Sequence, residues 1–222
     1  MKYADKIELS NIQVYEVGDV QIENLVLKAL AAGIKEIVVG PCALDLVEKM
    51  LKDHDNITIN CAVSYPSGAY LLEQKIQEIQ DLIDEQKRID AFYVVMSEGQ
   101  YLSGHVAEMK EELTEIVHAS NNIPVKIVTE ISVLDETQME EIAEAIITAG
   151  AQGVVISADF KPYDIQEPSI EQVKKFVEIV GNRIDVIGAG NVTQKERFLD
   201  MLDAGVTRVN TTNGFEILKE LN

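Results

Sequence analysis

Short runs of β-branched and aliphatic residues alternate with longer stretches in which apolar residues recur at helical spacing. The clearest helical stretch is residues 19–32, where Ile22, Val26 and Leu30 recur every fourth residue. Gly33 follows this stretch at the position where a helix commonly ends with glycine. The strand-like runs are nearly continuous in apolar residues, which is typical of parallel strands buried on both faces.

The same pattern continues along the whole chain. It predicts strands at residues 6–9, 36–39, 57–63, 91–96, 125–129, 153–157, 183–187 and 207–210. It predicts helices at residues 19–32, 70–86, 104–118, 136–148, 169–180, 193–204 and 214–221. Strands alternating with helices indicate right-handed crossovers and a parallel sheet. Eight such units favour a closed (β/α)8 TIM barrel formed by residues 1–222 as a single domain, and an open doubly wound sheet is the alternative.

Composition limits the partners and the compartment. The chain has 222 residues, no Pro/Gly/Ser-rich linker, and a formal net charge of −19, which disfavours binding to nucleic acid and to anionic membrane surfaces. Cys42 and Cys61 lack metal-type spacing, so we expect two reduced, buried thiols and neither a metal nor a cofactor. No apolar run approaches the roughly 20 residues that span a bilayer, so we expect a cytoplasmic protein.

Four segments, in order along the chain, resemble motifs of the deoxyribose-phosphate aldolase family. They are residues 37–41 (Ile-Val-Val-Gly-Pro), 97–104 (Ser-Glu-Gly-Gln-Tyr-Leu-Ser-Gly), 124–131 (Pro-Val-Lys-Ile-Val-Thr-Glu-Ile) and 204–214 (Ala-Gly-Val-Thr-Arg-Val-Asn-Thr-Thr-Asn-Gly). The last segment is the most specific, and the resemblance covers nearly the whole chain. It implies an aldolase-like TIM barrel that acts on a sugar phosphate as a carbon–carbon lyase.

The chain departs from this family where the chemistry takes place. The family's Schiff-base lysine lies in a Val-Lys-Thr-Ser-Thr-Gly segment, which matches residues 154–159 (Val-Val-Ile-Ser-Ala-Asp) and places Val155 at the lysine position. A second family lysine matches Ile187, and an aspartate that assists proton transfer matches Tyr93. Valine cannot form the electrophilic iminium that such an aldolase needs. The resemblance therefore implies that the usual Schiff-base reaction is lost.

The resemblance implies that the phosphate site is better preserved. Ligands of TIM barrels bind at the C-terminal strand ends, and phosphate commonly binds in the loops after strands seven and eight. Small residues there let backbone N–H groups approach an anion at a helix N-terminus. The predicted ligand-binding residues are Ser157, Lys161, Gly188, Gly190, Asn191, Thr211, Thr212, Asn213 and Gly214. The alternative is that the glycines only serve tight turns.

Three residues are candidates for any remaining catalysis. Lys126 and Glu130 share a face of the fifth strand, and a Lys126 that faces the lumen could contact a ligand or form an imine. The alternative is that Lys126 pairs with Glu130 or with a carboxylate on a neighbouring strand. Tyr93 could donate a hydrogen bond to a ligand carbonyl or simply fill space. Glu98 follows the fourth strand and could serve as a base, but it is interpreted as an exposed loop carboxylate.

Three functional hypotheses remain open at this stage. The first is a catalytically altered barrel that binds a small phosphorylated metabolite. The second is an active lyase or isomerase on a phosphorylated sugar, using Lys126, Tyr93 and Glu130. The third is a non-catalytic scaffold whose surface binds a protein. A homodimer is expected for this architecture. Fold similarity alone does not decide among the three.

Overall fold

The computed structural model describes residues 1–12, 18–160 and 166–222. Eight parallel strands pair in sequence order, and β1 also pairs with β8, so the sheet closes into a barrel. The strands are β1 (Ile7–Ser10), β2 (Glu36–Val39), β3 (Thr58–Val63), β4 (Ala91–Val95), β5 (Val125–Val128), β6 (Gly153–Val155), β7 (Asp185–Gly188) and β8 (Arg208–Thr211). The predicted TIM barrel is confirmed, and the open-sheet alternative is excluded by the β1–β8 pairing.

The helices of the described residues lie between the strands and after the last one. They are α1 (Asp19–Ala32), α2 (Leu44–Met50), α3 (Leu72–Asp84), α4 (Glu98–Leu102), α5 (Val106–Ala119), α6 (Glu136–Ala149), α7 (Ile170–Val180), α8 (Lys195–Asp203) and α9 (Gly214–Glu220). The sequence pattern missed α2 and α4, because helices of seven and five residues are too short to establish a helical period. None of the described helices is long and apolar enough to cross a membrane.

The strand register arranges the lumen side chains in layers, each with four residues from alternate strands. We call three of these the lower, middle and upper layers, counted from the N-terminal to the C-terminal strand ends. The lower layer contains Glu8, Asn60, Lys126 and Ile187. The middle layer contains Val38, Tyr93, Val155 and Asn210, and the upper layer Ser10, Ala62, Val128 and Ala189. The lumen is therefore charged at its base and mainly apolar above it.

The larger hydrophobic core lies outside the barrel, between the strands and the helices. Phe92, Phe176 and Phe198 are fully buried in it. Cys61 belongs to this core, whereas Cys42 is exposed at the start of the β2–α2 connection. The expectation of two buried thiols is therefore wrong for Cys42, because Pro41 and Cys42 lie in a short 3-10 helix at the surface.

Candidate functional site

Two cavities lie over the C-terminal ends of the strands. One, of about 520 Å³, lies over β1–β3, and its described lining includes Gly40, Ser64 and Tyr65. The other, of about 230 Å³, lies over β3–β6 and is lined by Glu98, Glu130 and apolar side chains. Between them the lumen narrows to a space of about 10 Å³. The open volume is thus at the strand ends, where barrel ligands bind.

The two positions that are predicted to match the family lysines are apolar and buried. Val155 in the middle layer is 2% exposed, and Ile187 in the lower layer is 0% exposed. Both belong to a lumen cluster with other apolar side chains, namely Val38, Ala62, Tyr93, Val95, Val128 and Ala189. A protonated amine in such surroundings would lose its hydration without gaining a partner. Among the residues that the structure describes, this part of the lumen offers no amine for an imine.

Lys126 is the one lysine in strands β1–β8 as the structure describes them, and it faces the lumen. Its Nζ donates to Glu8 Oε1 at 2.9 Å and to Glu36 Oε2 at 2.8 Å. The Nζ also lies 5.1 Å from the centre of the Tyr93 ring. Lys126 is thus paired with carboxylates from β1 and β2 across the lumen, rather than with Glu130 or a neighbouring strand. Its catalytic role stays a prediction.

A charged network closes the base of the lumen around Lys126. Arg208 Nε lies 3.0 Å from Glu8 Oε1 and 3.1 Å from Glu36 Oε1, and its Nη2 lies 2.6 Å from Asp185 Oδ2. Complete burial raises the pKa of Glu8. Burial also opposes the charge of Glu36, but Lys126 and Arg208 hold the pKa of Glu36 below its ordinary value. The base of the barrel is therefore a set of mutually dependent charges.

Glu98 is held inside the mouth of the barrel. It begins α4, and its carboxylate accepts hydrogen bonds from Thr129 Oγ1 at 2.9 and 3.0 Å and from the Glu130 backbone N–H at 3.0 Å. Burial raises the pKa of Glu98 to about 7, against the lowering effect of these hydrogen bonds. The interpretation of Glu98 as an exposed loop carboxylate is wrong, because α4 turns the side chain back towards β5.

Glu130 and Ser157 meet at the strand ends of β5 and β6. Ser157 Oγ donates to Glu130 Oε2 at 2.6 Å, and Ser132 Oγ donates to Glu130 Oε1 at 2.7 Å. Tyr93 lies lower, in the middle layer. The structure therefore brings Glu98, Glu130 and Ser157 together at the mouth and separates them from Lys126. The sequence pattern did not predict that Glu98 lies beside Glu130 and Ser157 at the mouth.

Glu98 predicts a pH dependence of stability. Its folded-state pKa of about 7 exceeds the ordinary value of 4.5, so the folded state binds more protons than the unfolded state between these pH values. The stabilisation from neutral Glu98 is therefore complete below about pH 4.5 and is lost as the pH rises through 7. We expect Glu98→Gln to remove about 1–2 kcal/mol of this pH dependence after allowance for solvent screening. Urea unfolding at several pH values measures it.

A surface carboxylate serves as the control for this prediction. Glu73→Gln changes the same functional group at an exposed position in the first turn of α3. It should leave the slope of unfolding free energy against pH unchanged. Identical slopes for wild type and Glu98→Gln between pH 5 and 8 would contradict the prediction.

The loop after β7 is already held by an internal carboxylate. The Asn191 backbone N–H donates to Asp159 Oδ1 at 2.8 Å. Gly190 has φ +107°, and a Cβ added to it would lie 2.8 Å from Glu167 Oε2. Arg197 Nε donates to the Gly190 carbonyl oxygen at 2.8 Å. The loop therefore needs glycine at position 190 and directs a backbone donor at an anionic group.

The loop after β8 is largely committed to the fold. Thr211 Oγ1 donates to the Val192 carbonyl oxygen at 2.5 Å and accepts from the Asn213 backbone N–H at 3.0 Å. Thr212 Oγ1 donates to Asn213 Oδ1 at 2.9 Å. A Cβ added at Gly214 would lie 2.6 Å from the Ile7 side chain, so glycine lets α9 pack directly on β1.

Gly188 and Lys161 are two further residues that are predicted to bind the ligand. Gly188 lies against α8 and the segment that follows it, because an added Cβ would lie 3.2 Å from Val206 Cγ2 and 3.3 Å from Met201 Sδ. Lys161 lies outside the described residues. Ligand binding by these residues and by the two loops stays a prediction.

No protein-family model matches this sequence. The chain is 27% identical over 221 residues to the deoxyribose-phosphate aldolase of Staphylococcus carnosus, covering 100% of this chain and 97% of that protein. It is 29% identical over 204 residues to the deoxyribose-phosphate aldolase of Exiguobacterium sibiricum, covering 91% and 90%. The chain is similar over nearly its whole length to members of the deoxyribose-phosphate aldolase family.

Two solved aldolase structures have the same fold as this chain. An aldolase called QR15 superposes with a TM-score of 0.88 at 23% identity, covering 100% of this chain and 96% of that one. A deoxyribose-phosphate aldolase from Aeropyrum pernix, described as a unique tetrameric structure, superposes with a TM-score of 0.85 at 18% identity, covering 99% and 92%. The resemblance read from the sequence motifs is confirmed.

Proposed function

We propose that this aldolase relative binds a small phosphorylated, sugar-phosphate-like ligand at the C-terminal strand ends and forms no Schiff base with it. The carrying observation is the apolar lumen at Val155 and Ile187, together with the commitment of Lys126 to Glu8 and Glu36. A Schiff base requires an unprotonated amine that reaches a ligand carbonyl carbon. Lys126 Nζ instead donates hydrogen bonds to two carboxylates within 3 Å in the lower layer, away from the strand ends.

The loop after β7 supports an anion as part of the ligand. Its Asn191 N–H is directed at the Asp159 carboxylate, so an oxygen of Asp159 stands where a phosphate oxygen would be bound. A phosphorylated ligand would displace Asp159 from this N–H group. Since Asp159 directly precedes Phe160 at the edge of the 230 Å³ cavity, its release would couple phosphate binding to the wall of that cavity.

Borohydride trapping together with calorimetry tests the proposal. The protein is titrated with deoxyribose phosphate and, separately, incubated with the same compound and borohydride before its intact mass is measured. We expect saturable binding and no mass increase. Asp159→Asn, which neutralises the carboxylate that occupies the Asn191 N–H and tolerates the positive φ at this position, should strengthen binding of the phosphate compound about 3–10-fold, since charge-assisted hydrogen bonds are the stronger ones.

A matched control separates the local effect of Asp159 from a general loss of negative charge. Asp200→Asn makes the same change at an exposed position of α8. It should bind deoxyribose phosphate as wild type does. A borohydride adduct on any lysine would refute the absence of imine chemistry, and absence of binding would refute the ligand site.

An active lyase or isomerase is the second candidate function, and Glu98 favours it. A carboxyl group with a pKa of about 7 beside Glu130 is suited to proton transfer near neutral pH. Turnover of deoxyribose phosphate that is abolished in Glu98→Gln would select this function over simple binding. The scaffold hypothesis would be selected by absence of both binding and turnover.

Two wider expectations stay predictions for this chain. The relative from Aeropyrum pernix is described as a tetramer, which supports a homo-oligomer here, although the sequence-based expectation is specifically a homodimer. A cytoplasmic location is consistent with the composition of the chain.

A further inference from the structure

Five buried polar side chains in the lumen carry a hydrogen-bonding atom with no partner among the described residues. Glu8 Oε2 and Asn60 Oδ1 lie in the charged lower layer, and Ser10 Oγ, Tyr93 Oη and Asn210 Nδ2 lie above it. Ser10, Tyr93 and Asn210 are 1%, 2% and 6% exposed, respectively. A buried polar group without a partner destabilises a protein by about 1–3 kcal/mol, so such groups are uncommon unless they serve a ligand or a water. Three of them above the charged base call for a common explanation.

The register places Tyr93 and Asn210 in one lumen layer and Ser10 in the layer above it. Tyr93 and Asn210 belong to the middle layer and come from β4 and β8, which lie on opposite sides of the eight-strand ring. Ser10 lies in the upper layer on β1, the strand that pairs with β8. Tyr93 and Asn210 line the same 10 Å³ space as Val155 and Ser157. That volume accommodates about one oxygen atom.

The chemistry of the three groups favours an uncharged oxygen. Asn210 Nδ2 is a donor only, whereas the hydroxyl groups of Ser10 and Tyr93 can donate or accept. Within the described strands the lysine beside this space, Lys126, is bound by two carboxylates, and its Nζ lies 5.1 Å from the centre of the Tyr93 ring. An anion in the middle layer would therefore gain little attraction and lose its hydration. A hydroxyl or carbonyl oxygen can accept from Asn210 while exchanging hydrogen bonds with the two hydroxyls.

We propose that Tyr93, Asn210 and Ser10 form a subsite for one hydroxyl or carbonyl oxygen of the ligand, at the inner end of a ligand whose phosphate lies at the strand ends. This subsite rests on the function proposed above and assigns its specificity. It holds the ligand oxygen by hydrogen bonds beside Val155, where the family has its reactive lysine. The three residues bind and position the oxygen and take no part in bond breaking.

Deoxyribose phosphate and deoxyribose test the subsite with and without the phosphate group, and methyl phosphate tests the phosphate site alone. Binding of deoxyribose phosphate and of deoxyribose is measured by calorimetry for wild type, Tyr93→Phe and Asn210→Leu. We expect each variant to weaken the binding of both compounds about 3–10-fold, which is the effect of losing one neutral hydrogen bond. Binding of methyl phosphate, which has no sugar oxygen to reach the lumen, should not change. Tyr3→Phe, a hydroxyl deletion outside the lumen beside Phe198, is the matched control.

Thermal unfolding of the free protein provides an independent readout. Because Tyr93 Oη has no partner among the described residues, Tyr93→Phe should leave the Tm unchanged or raise it. A decrease of more than about 3 °C would indicate a satisfied structural hydrogen bond and would overturn the proposal.

The possible results separate the two proposals. If wild type binds deoxyribose phosphate and both lumen variants bind it equally well, the subsite is refuted while the proposed function stands. If deoxyribose binds and the variants lose it, but the phosphate adds no affinity, the subsite stands and the phosphate site is refuted. If neither compound binds wild type, both proposals are refuted.

Discussion

Replacing Lys75 with methionine is expected to lower the free energy of unfolding by about 3–5 kcal/mol. Lys75 is fully buried on α3, and its Nζ donates to Glu112 Oε1 at 2.6 Å, Val95 O at 2.8 Å and Ser97 Oγ at 3.1 Å. Removing the ammonium group leaves the buried Glu112 carboxylate without its counter-charge and the end of β4 without two hydrogen bonds. Urea or thermal unfolding measures the loss.

An exposed lysine on a neighbouring helix controls for the change of residue type. Lys110 lies 3.4 Å from Glu141 with half of its side chain exposed, so Lys110→Met should cost less than about 1 kcal/mol. Adding Glu112→Leu to Lys75→Met should recover part of the loss, because no unpaired buried charge then remains. Equal losses for Lys75→Met and Lys110→Met would show that the pair contributes little.

Replacing Lys126 with methionine is the second substitution with a large expected effect. We expect a loss of about 3 kcal/mol, because Glu8 is fully buried and Glu36 is largely so, and Arg208 alone would then face both carboxylates. Lys195→Met removes an exposed lysine 3.4 Å from Glu220 and should have little effect. A loss no larger than that of Lys195→Met would contradict the proposed importance of the network.

The pH dependence of this loss distinguishes charge pairing from simple packing. Although burial opposes it, Lys126 helps to hold the folded-state pKa of Glu36 below 4.5, so the stabilisation is present above about pH 4.5 and is lost as the pH falls further. The difference between wild type and Lys126→Met should therefore shrink on acidification. If Lys126 formed an imine with deoxyribose phosphate, borohydride would trap the adduct on the wild type and not on Lys126→Met. We expect no adduct on either protein.

The ion pairs of the buried lysines could not be predicted from the sequence and are visible only in the structure. Lys75 lies on the same face of α3 as Ile79 and Leu82. From the helical periodicity alone, it would be interpreted as a polar residue that interrupts an apolar stripe. Its partner Glu112 lies 37 residues away on another helix. Packing between α3 and α5 creates the pair, and this contact has no local signature. The lumen carboxylates of Glu8 and Glu36 have only a weak local signature, because each is a single acidic residue in an otherwise mainly apolar strand.

The hydrophobic pattern by itself determined the alternation of strands and helices and favoured a closed parallel barrel, because strand and helix periods are local properties of the chain. The pairing of β1 with β8 in the structure excluded the open sheet. The ordered motifs indicated the resemblance to the deoxyribose-phosphate aldolase family and predicted that Val155 matches the family's lysine position. Only the tertiary structure decided that Lys126 meets Glu8, 118 residues away, and that Tyr93 faces Asn210 across the lumen. Closure of the sheet with one strand register sets these pairs, and that register is a property of all eight strands together.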